Sequence, residues 1–316
     1  MKLIKYFSIV LFIAAIASCN IDDENLFAPV VDIKLPPFKS RLVVFANLQA
    51  GDDSLVAHIT RSRSALDTTN FGKNVYDTIR FPNGGFRVDF IGYIDNDTLR
   101  SAKVELFRNE ALWGTFQVNR FGKYILRKKL PNDGATYRIR AELAGYDVVE
   151  ATQKMPTAAK LDSVRYVYQG AIVQDGLDTR KSNAFTYFFT DPVETGNYYY
   201  VKAAQIDTFS KQRLYFYPES LDKLAQSGFL GDKSFNGKAY AWRNYNGFPL
   251  ITSKVYTVEY TLSTTTVDLL QFIRSKELSE DAKYNPFAEP VILYSNIKNG
   301  YGIFSLSTSS TWIKKY

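Results

Sequence analysis

Arg41-Leu42-Val43-Val44-Phe45-Ala46-Asn47-Leu48 is a continuous apolar run suited to a strand in the core of a β-sandwich. The chain after it repeats with a period of two. Leu55, Ala57 and Ile59 alternate with Val56, His58 and Thr60, and Phe86, Val88 and Phe90 alternate with Arg87 and Asp89. Ala102, Val104 and Leu106 alternate with Lys103 and Glu105, and Tyr137, Ile139 and Ala141 with Arg138, Arg140 and Glu142. Successive side chains of an extended chain point to opposite faces, so each set reads as a strand with one buried face. Turn formers separate the sets: Pro82-Asn83-Gly84-Gly85, Asp95-Asn96-Asp97 and Pro131-Asn132-Asp133-Gly134. Short strands at this spacing predict an immunoglobulin-like β-sandwich over residues 41–155. The polar stretch Arg61–Thr78 is expected to be a long, contact-bearing loop.

Met155-Pro156-Thr157 closes that unit, and residues 156–316 are expected to form a second strand-rich β domain. Val164, Tyr166 and Tyr168 alternate, Phe185–Thr190 and Tyr198–Gln205 follow, and Tyr256, Val258, Tyr260 and Leu262 line one face of the longest strand. Two helices are expected to interrupt them. One is short, Pro218–Ser227. The other, Thr265–Leu278, has Thr265 and Asp268 in capping-box positions and a wide apolar face of Val267, Leu269, Leu270, Phe272 and Ile273. The fold class is mostly β. Composition agrees: the chain holds 22 Tyr and 23 Phe against only 2 Met, and aromatic residues favour pleated, half-buried surfaces.

The 316 residues carry 39 Lys and Arg against 32 Asp and Glu, a net charge of +7. Only Arg127-Lys128-Lys129 and Lys314-Lys315 cluster, whereas nucleic-acid binders concentrate charge on a face or stripe. No nucleic-acid partner is expected. His58 is the one histidine and Cys19 the one cysteine, so multi-His zinc sites lack their parts; a nucleophilic site would have to use His58, which lies opposite the Leu55, Ala57 and Ile59 face and reads as a partly exposed structural histidine. Asp95-Asn96-Asp97 lacks the glycine and closing glutamate of a calcium loop and reads as a hairpin turn. Neither a phosphate-binding glycine loop nor a dinucleotide fingerprint occurs. No catalytic residue, metal or cofactor is expected.

The N-terminus has Lys2 and Lys5, then an uncharged run from Tyr6 to Ala17, then Ser18 and Cys19. That is a basic region, an apolar core and a small-residue cleavage site. Ile16-Ala17-Ser18-Cys19 resembles the lipobox of bacterial lipoproteins. The resemblance implies removal of residues 1–18 as a signal peptide and lipidation of Cys19, palmitate among the acyl chains, which leaves the folded part without a thiol. Residues 19–40 read as a tether stiffened by Pro29, Pro36 and Pro37. Its acidic Asp22-Asp23-Glu24 resembles the export signal that sends lipoproteins of the Bacteroidota to the outer face of the outer membrane.

The tail carries the most distinctive motif: Ser295-Asn296-Ile297, Asn299-Gly300 and Gly302-Ile303-Phe304. Earlier pieces occur in order, namely Arg41-Leu42-Val43-Val44, Ala102-Lys103-Val104-Glu105-Leu106, Gly122-Lys123-Tyr124, Asp191-Pro192 with Asn197-Tyr198-Tyr199, and Phe235-Asn236-Gly237. Together they resemble the Bacteroidota lipoproteins classed as domain of unknown function 4249. Asn20, where the family often has an acidic residue, and Ala46, where it usually has Gly, depart from the pattern. The resemblance implies an outer-membrane, surface-exposed lipoprotein that serves a TonB-dependent transporter as a non-enzymatic accessory or substrate-capture subunit. The alternatives are a free-standing glycan- or peptide-binding lipoprotein and, less favoured, a hydrolase.

For ligand or partner contact the candidates are aromatic. Tyr240, Trp242 and Tyr245 fall in a Gly- and Asn-punctuated segment, Phe235–Phe248, that does not read as a clean strand; they form an exposed patch or, the favoured reading, cap the core between loops, and Trp113 beside Gly114 is open to the same two readings. A recurring Asp-Ser/Thr pattern resembles the O-glycosylation signal of Bacteroidota extracytoplasmic proteins and marks Ser54, Thr78 and Thr98. The same pattern also opens strands after turns.

Overall fold

The computed structural model describes residues 38–316 apart from 65–66, 68–71, 81–85, 176–177, 208–210, 247–255, 283–288 and 290. The opening run forms β1 (Leu42–Gln49), but it alternates: Leu42, Val44, Ala46 and Leu48 are buried, while Phe45 is 41% exposed. It is therefore buried on one face only, and Phe45 packs its ring edge-on against Phe272 of the helix described below, centroids 5.6 Å apart.

On one side β1 pairs antiparallel with β2 (Leu55–Arg61). On its other side it pairs in parallel with β20 (Tyr301–Lys315), the last strand of the chain, with Ala46 opposite Phe304. β20 continues antiparallel to β19 (Tyr256–Thr265), and β19 to β13 (Tyr198–Asp207). Short strands complete a ten-stranded sheet: β7 (Gln117–Val118) and β8 (Tyr124–Leu126) beyond β2, and β14 (Arg213–Phe216), β16 (Ala225–Gln226) and β17 (Phe229–Gly231) beyond β13. A second sheet orders β10 (Val149–Lys154), β9 (Thr136–Glu142), β5 (Lys103–Arg108) and β6 (Ala111–Thr115). A third orders β11 (Lys160–Asp175), β12 (Asp178–Thr190), β18 (Ala239–Asn246) and β15 (Glu219–Ser220). β3 (Gly72–Arg80) and β4 (Phe86–Asp95) form a two-stranded hairpin. The protein is mostly β, with layered sheets.

The even-numbered side chains of β1, β19 and β20 back two cores. In one, Leu42, Val44, Ile59, Phe304 and Leu306 meet Val104, Leu106, Tyr137 and Ile139 of the second sheet. In the other, Val201, Val258, Tyr260 and Leu262 meet Phe185, Tyr187, Phe189 and Trp242 of the third. Pro156 lies between β10 and β11, where the cores part, yet the ten-stranded sheet runs across that point. Hydroxyls seal the seam. Thr264 Oγ1 accepts the Ala159 N–H at 3.1 Å and Ser310 Oγ accepts the Leu161 N–H at 3.0 Å, which satisfies backbone that would otherwise be buried unpaired.

The tail motif makes the parallel pairing possible. Asn296 acts as one rung of a strand, donating from Nδ2 to Phe304 O (2.7 Å) and accepting the Phe304 N–H at Oδ1 (3.0 Å). It does so where β19 no longer flanks β20. Gly302 takes φ +108°, and a Cβ there would overlap the Val44 carbonyl, so only glycine lets the strands close.

Three expectations need correction. Pro218–Ser227 is not a helix: β15 and β16 lie in it, joined by a turn in which Asp222 Oδ1 accepts the Leu224 N–H at 2.9 Å. The long helix, α1 (Val267–Ala282), begins after Thr265. Thr265 stays in β19, donating Oγ1–H to Leu306 O at 3.1 Å, while Asp268 accepts from Gln153 Nε2 at 2.9 Å and from Tyr294. Both capping-box groups are thus spent on tertiary bonds. Within Arg61–Thr78, residues 72–78 belong to β3, not to a loop.

Candidate binding cleft

Three stretches far apart in sequence meet at the start of β13. Asp191 accepts the Tyr199 hydroxyl at Oδ1 and the Gly237 N–H at Oδ2 (2.6 Å). Asn236 Nδ2 donates to Val193 O at 3.1 Å, and Asp232 Oδ2 accepts the Asn197 N–H at 3.0 Å. Asp191, Asn197 and Asp232 are all buried, and a buried carboxylate is tolerable only when donors surround it. Burial pushes the Asp191 carboxyl above its ordinary value, against the pull of its two donors. The Tyr199 phenol is pushed up as well, by burial first and by Asp191 second. This knot fixes the turn Gly231–Phe235.

Behind the turn stand two of the aromatic residues singled out in the sequence. Tyr240 stacks on Phe235, centroids 4.1 Å apart, and donates its hydroxyl to Asp222. Burial, then that carboxylate, pushes its phenol up to about 12. Trp242 is 0% exposed and donates Nε1–H to Ser220 Oγ at 2.8 Å. Ser220 Oγ also accepts the Asp222 N–H at 3.0 Å. Tyr240 and Trp242 therefore hold the loop that carries Leu224.

Leu224, the Gly231–Ser234 turn and the first two turns of α1 enclose an open cleft of about 640 Å³. Tyr198, Leu224, Phe229 and Leu270 give it an apolar floor, and Lys233 and Arg274 are its charged side chains. Its size lies within the range of small-molecule sites. A smaller recess of about 330 Å³ lies at the start of α1, with Lys154, Glu194 and Asp268 bringing both signs of charge.

Of the two readings of the aromatic segment, the structure bears out core capping for Tyr240 and Trp242, and no aromatic patch forms. Phe235–Phe248 contains a regular strand, β18, so Tyr240 and Trp242 point to one face and Tyr245 to the other. Trp242 lies in the core and cannot meet a ligand. Tyr245 packs beside Ala171 and Ala184 and bonds Glu219. Trp113 sits elsewhere, edge-on to Tyr137 at 6.1 Å with Lys128 Nζ 4.3 Å from its ring. The free-standing glycan- or peptide-binding alternative thereby loses Trp242, the residue it leaned on most.

His58 is exposed on β2, opposite the buried Leu55, Ala57 and Ile59. Asp95-Asn96-Asp97 is a turn in which Asp95 Oδ1 accepts the Asp97 N–H at 2.8 Å, and Asp97 pairs with Arg61 at 3.0 Å and with Arg63. Ser54 is exposed, Thr98 is half-buried against Gly122, and Thr78 lies on β3. Cys19 lies outside the described residues. Among the described residues no helix is long and apolar enough to cross a membrane, and no group of three His, Cys, Asp or Glu could hold a metal ion. Sequence reasoning missed Lys233 and Arg274. The one available signal was the spacing of Val267, Leu270 and Arg274, which puts a cation on an apolar helix face.

Fold and cleft define a mostly β protein of layered sheets that offers a small-molecule-sized recess beside α1. The chain belongs to a family that bears a description but no function: residues 29–312 match the model described as "Domain of unknown function (DUF4249)". No curated protein matches the chain.

Proposed function

We propose that the protein is a lipid-anchored, outward-facing outer-membrane protein that serves a TonB-dependent transporter as a non-enzymatic capture subunit. The observation that carries this reading is the α1 cleft, an open recess with apolar floor and cationic rim held by a buried hydrogen-bonded frame. Such a frame keeps a recess in shape without ligand, which lowers the ordering cost of capture. Ile16-Ala17-Ser18-Cys19 supports the anchor, and the proline-bearing tether would hold the folded unit away from the bilayer.

Affinity purification of the lipidated protein from native outer membranes tests the role. A TonB-dependent barrel recovered with the wild-type protein supports it. Repeated recovery without any such barrel overturns it.

A further inference from the structure

Building on the capture role, we infer that the α1 cleft takes a small amphiphilic anion, a carboxylate, sulfonate or phosphate carried on a flat or hydrocarbon body. Three observations converge on that chemistry. The floor is apolar, so it rewards a desolvated hydrocarbon or ring by about 25 cal/mol for each Å² buried. The charged lining is of one sign, Lys233 from the turn and Arg274 from the helix, with no carboxylate in the lining.

Neither cation is neutralised by a carboxylate among the described residues. The Arg274 guanidinium donates only to the Gln226 amide, at 3.3 Å. The nearest acid along the helix face, Glu277, accepts the Ser227 hydroxyl. Other arginines do have acid partners, Arg138 with Glu110 and Glu150 and Arg213 with Glu259. Two cations left without acids at the mouth of an apolar recess suit an anion better than a neutral ligand, since a charge-assisted bond is about twice as strong as a neutral one.

The third observation concerns shape. Lys233 stands on the turn fixed by the buried Asp191–Tyr199–Gly237 and Asp232–Asn197 bonds, and Arg274 on a helix held by buried Leu269 and Leu270. The two cations thus stand on elements that are independently fixed, which sets where their side chains start before a ligand arrives.

The test uses the full chain carrying Cys19→Ala, which removes the lipid, titrated calorimetrically with naphthalene-2-sulfonate. One saturable site is expected, with 2-naphthylmethylammonium bound at least about tenfold more weakly. Replacing both cations, Lys233→Gln with Arg274→Gln, should weaken the sulfonate about tenfold or more and leave the melting temperature unchanged, both side chains being exposed. Reversing them, Lys233→Glu with Arg274→Glu, should invert the preference toward the ammonium.

No saturable binding, equal binding of the two probes, or binding indifferent to the double variant overturns the inference. Phosphatidylglycerol vesicles separate the sources of the anion. Sedimentation that the glutamine double variant loses assigns it to a lipid headgroup; no sedimentation, or sedimentation the variant retains, assigns it to a free solute. Sulfonate binding lost while the barrel is still recovered fails this inference alone. A missing barrel with sulfonate bound fails the transporter role alone.

Discussion

The two halves of the molecule fill the same face of one sheet with different chemistry. The first core is mainly aliphatic, Leu42, Val44, Ile59, Val104, Leu106 and Ile139, with Tyr124 and Tyr137 as its tyrosines. Half of the second is aromatic: Phe185, Tyr187, Phe189, Tyr199, Phe235, Trp242, Tyr256 and Tyr260. Aliphatic side chains ask nothing of their surroundings but volume. A buried tyrosine or tryptophan brings a polar handle that needs a partner. Tyr260 finds the Tyr316 hydroxyl at 2.8 Å, Tyr199 finds Asp191, and Trp242 finds Ser220. Through such bonds the aromatic core reaches out to the loops that shape the cleft, whereas Tyr124 and Tyr137 of the first core bond Leu99 O and Asp133, which do not line it. Among the described residues the first half lends the cleft no side chain, whereas the second both builds the sheet and lines the cleft.

Breaking the shared sheet should have the largest effect. Gly302→Val puts a branched side chain at φ +108° against the Val44 carbonyl, so β1 and β20 cannot close and a loss of more than about 4 kcal/mol is expected. Loss of soluble, β-rich protein by circular dichroism would show it; a folded variant of near wild-type stability would remove the parallel pair from its central place. Trp242→Ala should cost about 3–5 kcal/mol in chemical denaturation and Leu106→Ala about 2–5 kcal/mol, both being fully buried. Only the first should also disturb the cleft, seen as weaker naphthalene-2-sulfonate binding.

A pair of smaller changes sharpens the comparison within the aromatic core. Tyr199→Phe strips a donor from buried Asp191 and should cost about 1–3 kcal/mol. The Tyr187 hydroxyl is buried with no partner among the described residues, so Tyr187→Phe should be neutral or stabilise the protein by up to about 1 kcal/mol. Matched denaturation curves decide; equal losses from both would mean that the polar handles do not matter.

The smallest effect belongs to the first half. Partial desolvation, then Lys123, holds the His58 imidazole below its ordinary value. The unfolded chain therefore binds this proton more tightly, and stability should rise with pH between the lowered value and the ordinary value of about 6.5. Since His58 is the only histidine, His58→Gln should flatten that part of a melting-temperature profile. An unchanged slope would assign it to carboxylates.

Much of the fold was legible because burial on one face leaves a period of two. β2, β9 and the first half of β19 show it plainly. β20 was hidden by Ser305, Ser307, Thr308, Ser309 and Ser310, which look like a loop yet lie in the sheet, several of them buried. Its partner, β1, is almost the whole chain away, and alternation reveals a face without naming a neighbour. The strand under Trp242 was hidden for a related reason: Asn236, Gly237, Asn244 and Asn246 read as breakers, whereas Asn244 and Asn246 are buried within β18. Three family-like pieces, at Asp191, Asn197–Tyr199 and Phe235–Gly237, were each visible, but their meeting in one knot is a tertiary fact. Lys233 and Arg274 gave little warning because an isolated cation is ordinary surface chemistry until its neighbours are known.

The central claim is that one sheet joins two chemically different cores into a single cooperative unit. Scanning calorimetry of the wild-type protein, Leu106→Ala and Trp242→Ala tests it most directly. The shared sheet predicts one transition in all three, moved downward as a whole by either substitution. Two transitions, with Leu106→Ala lowering only one and Trp242→Ala only the other, would contradict it.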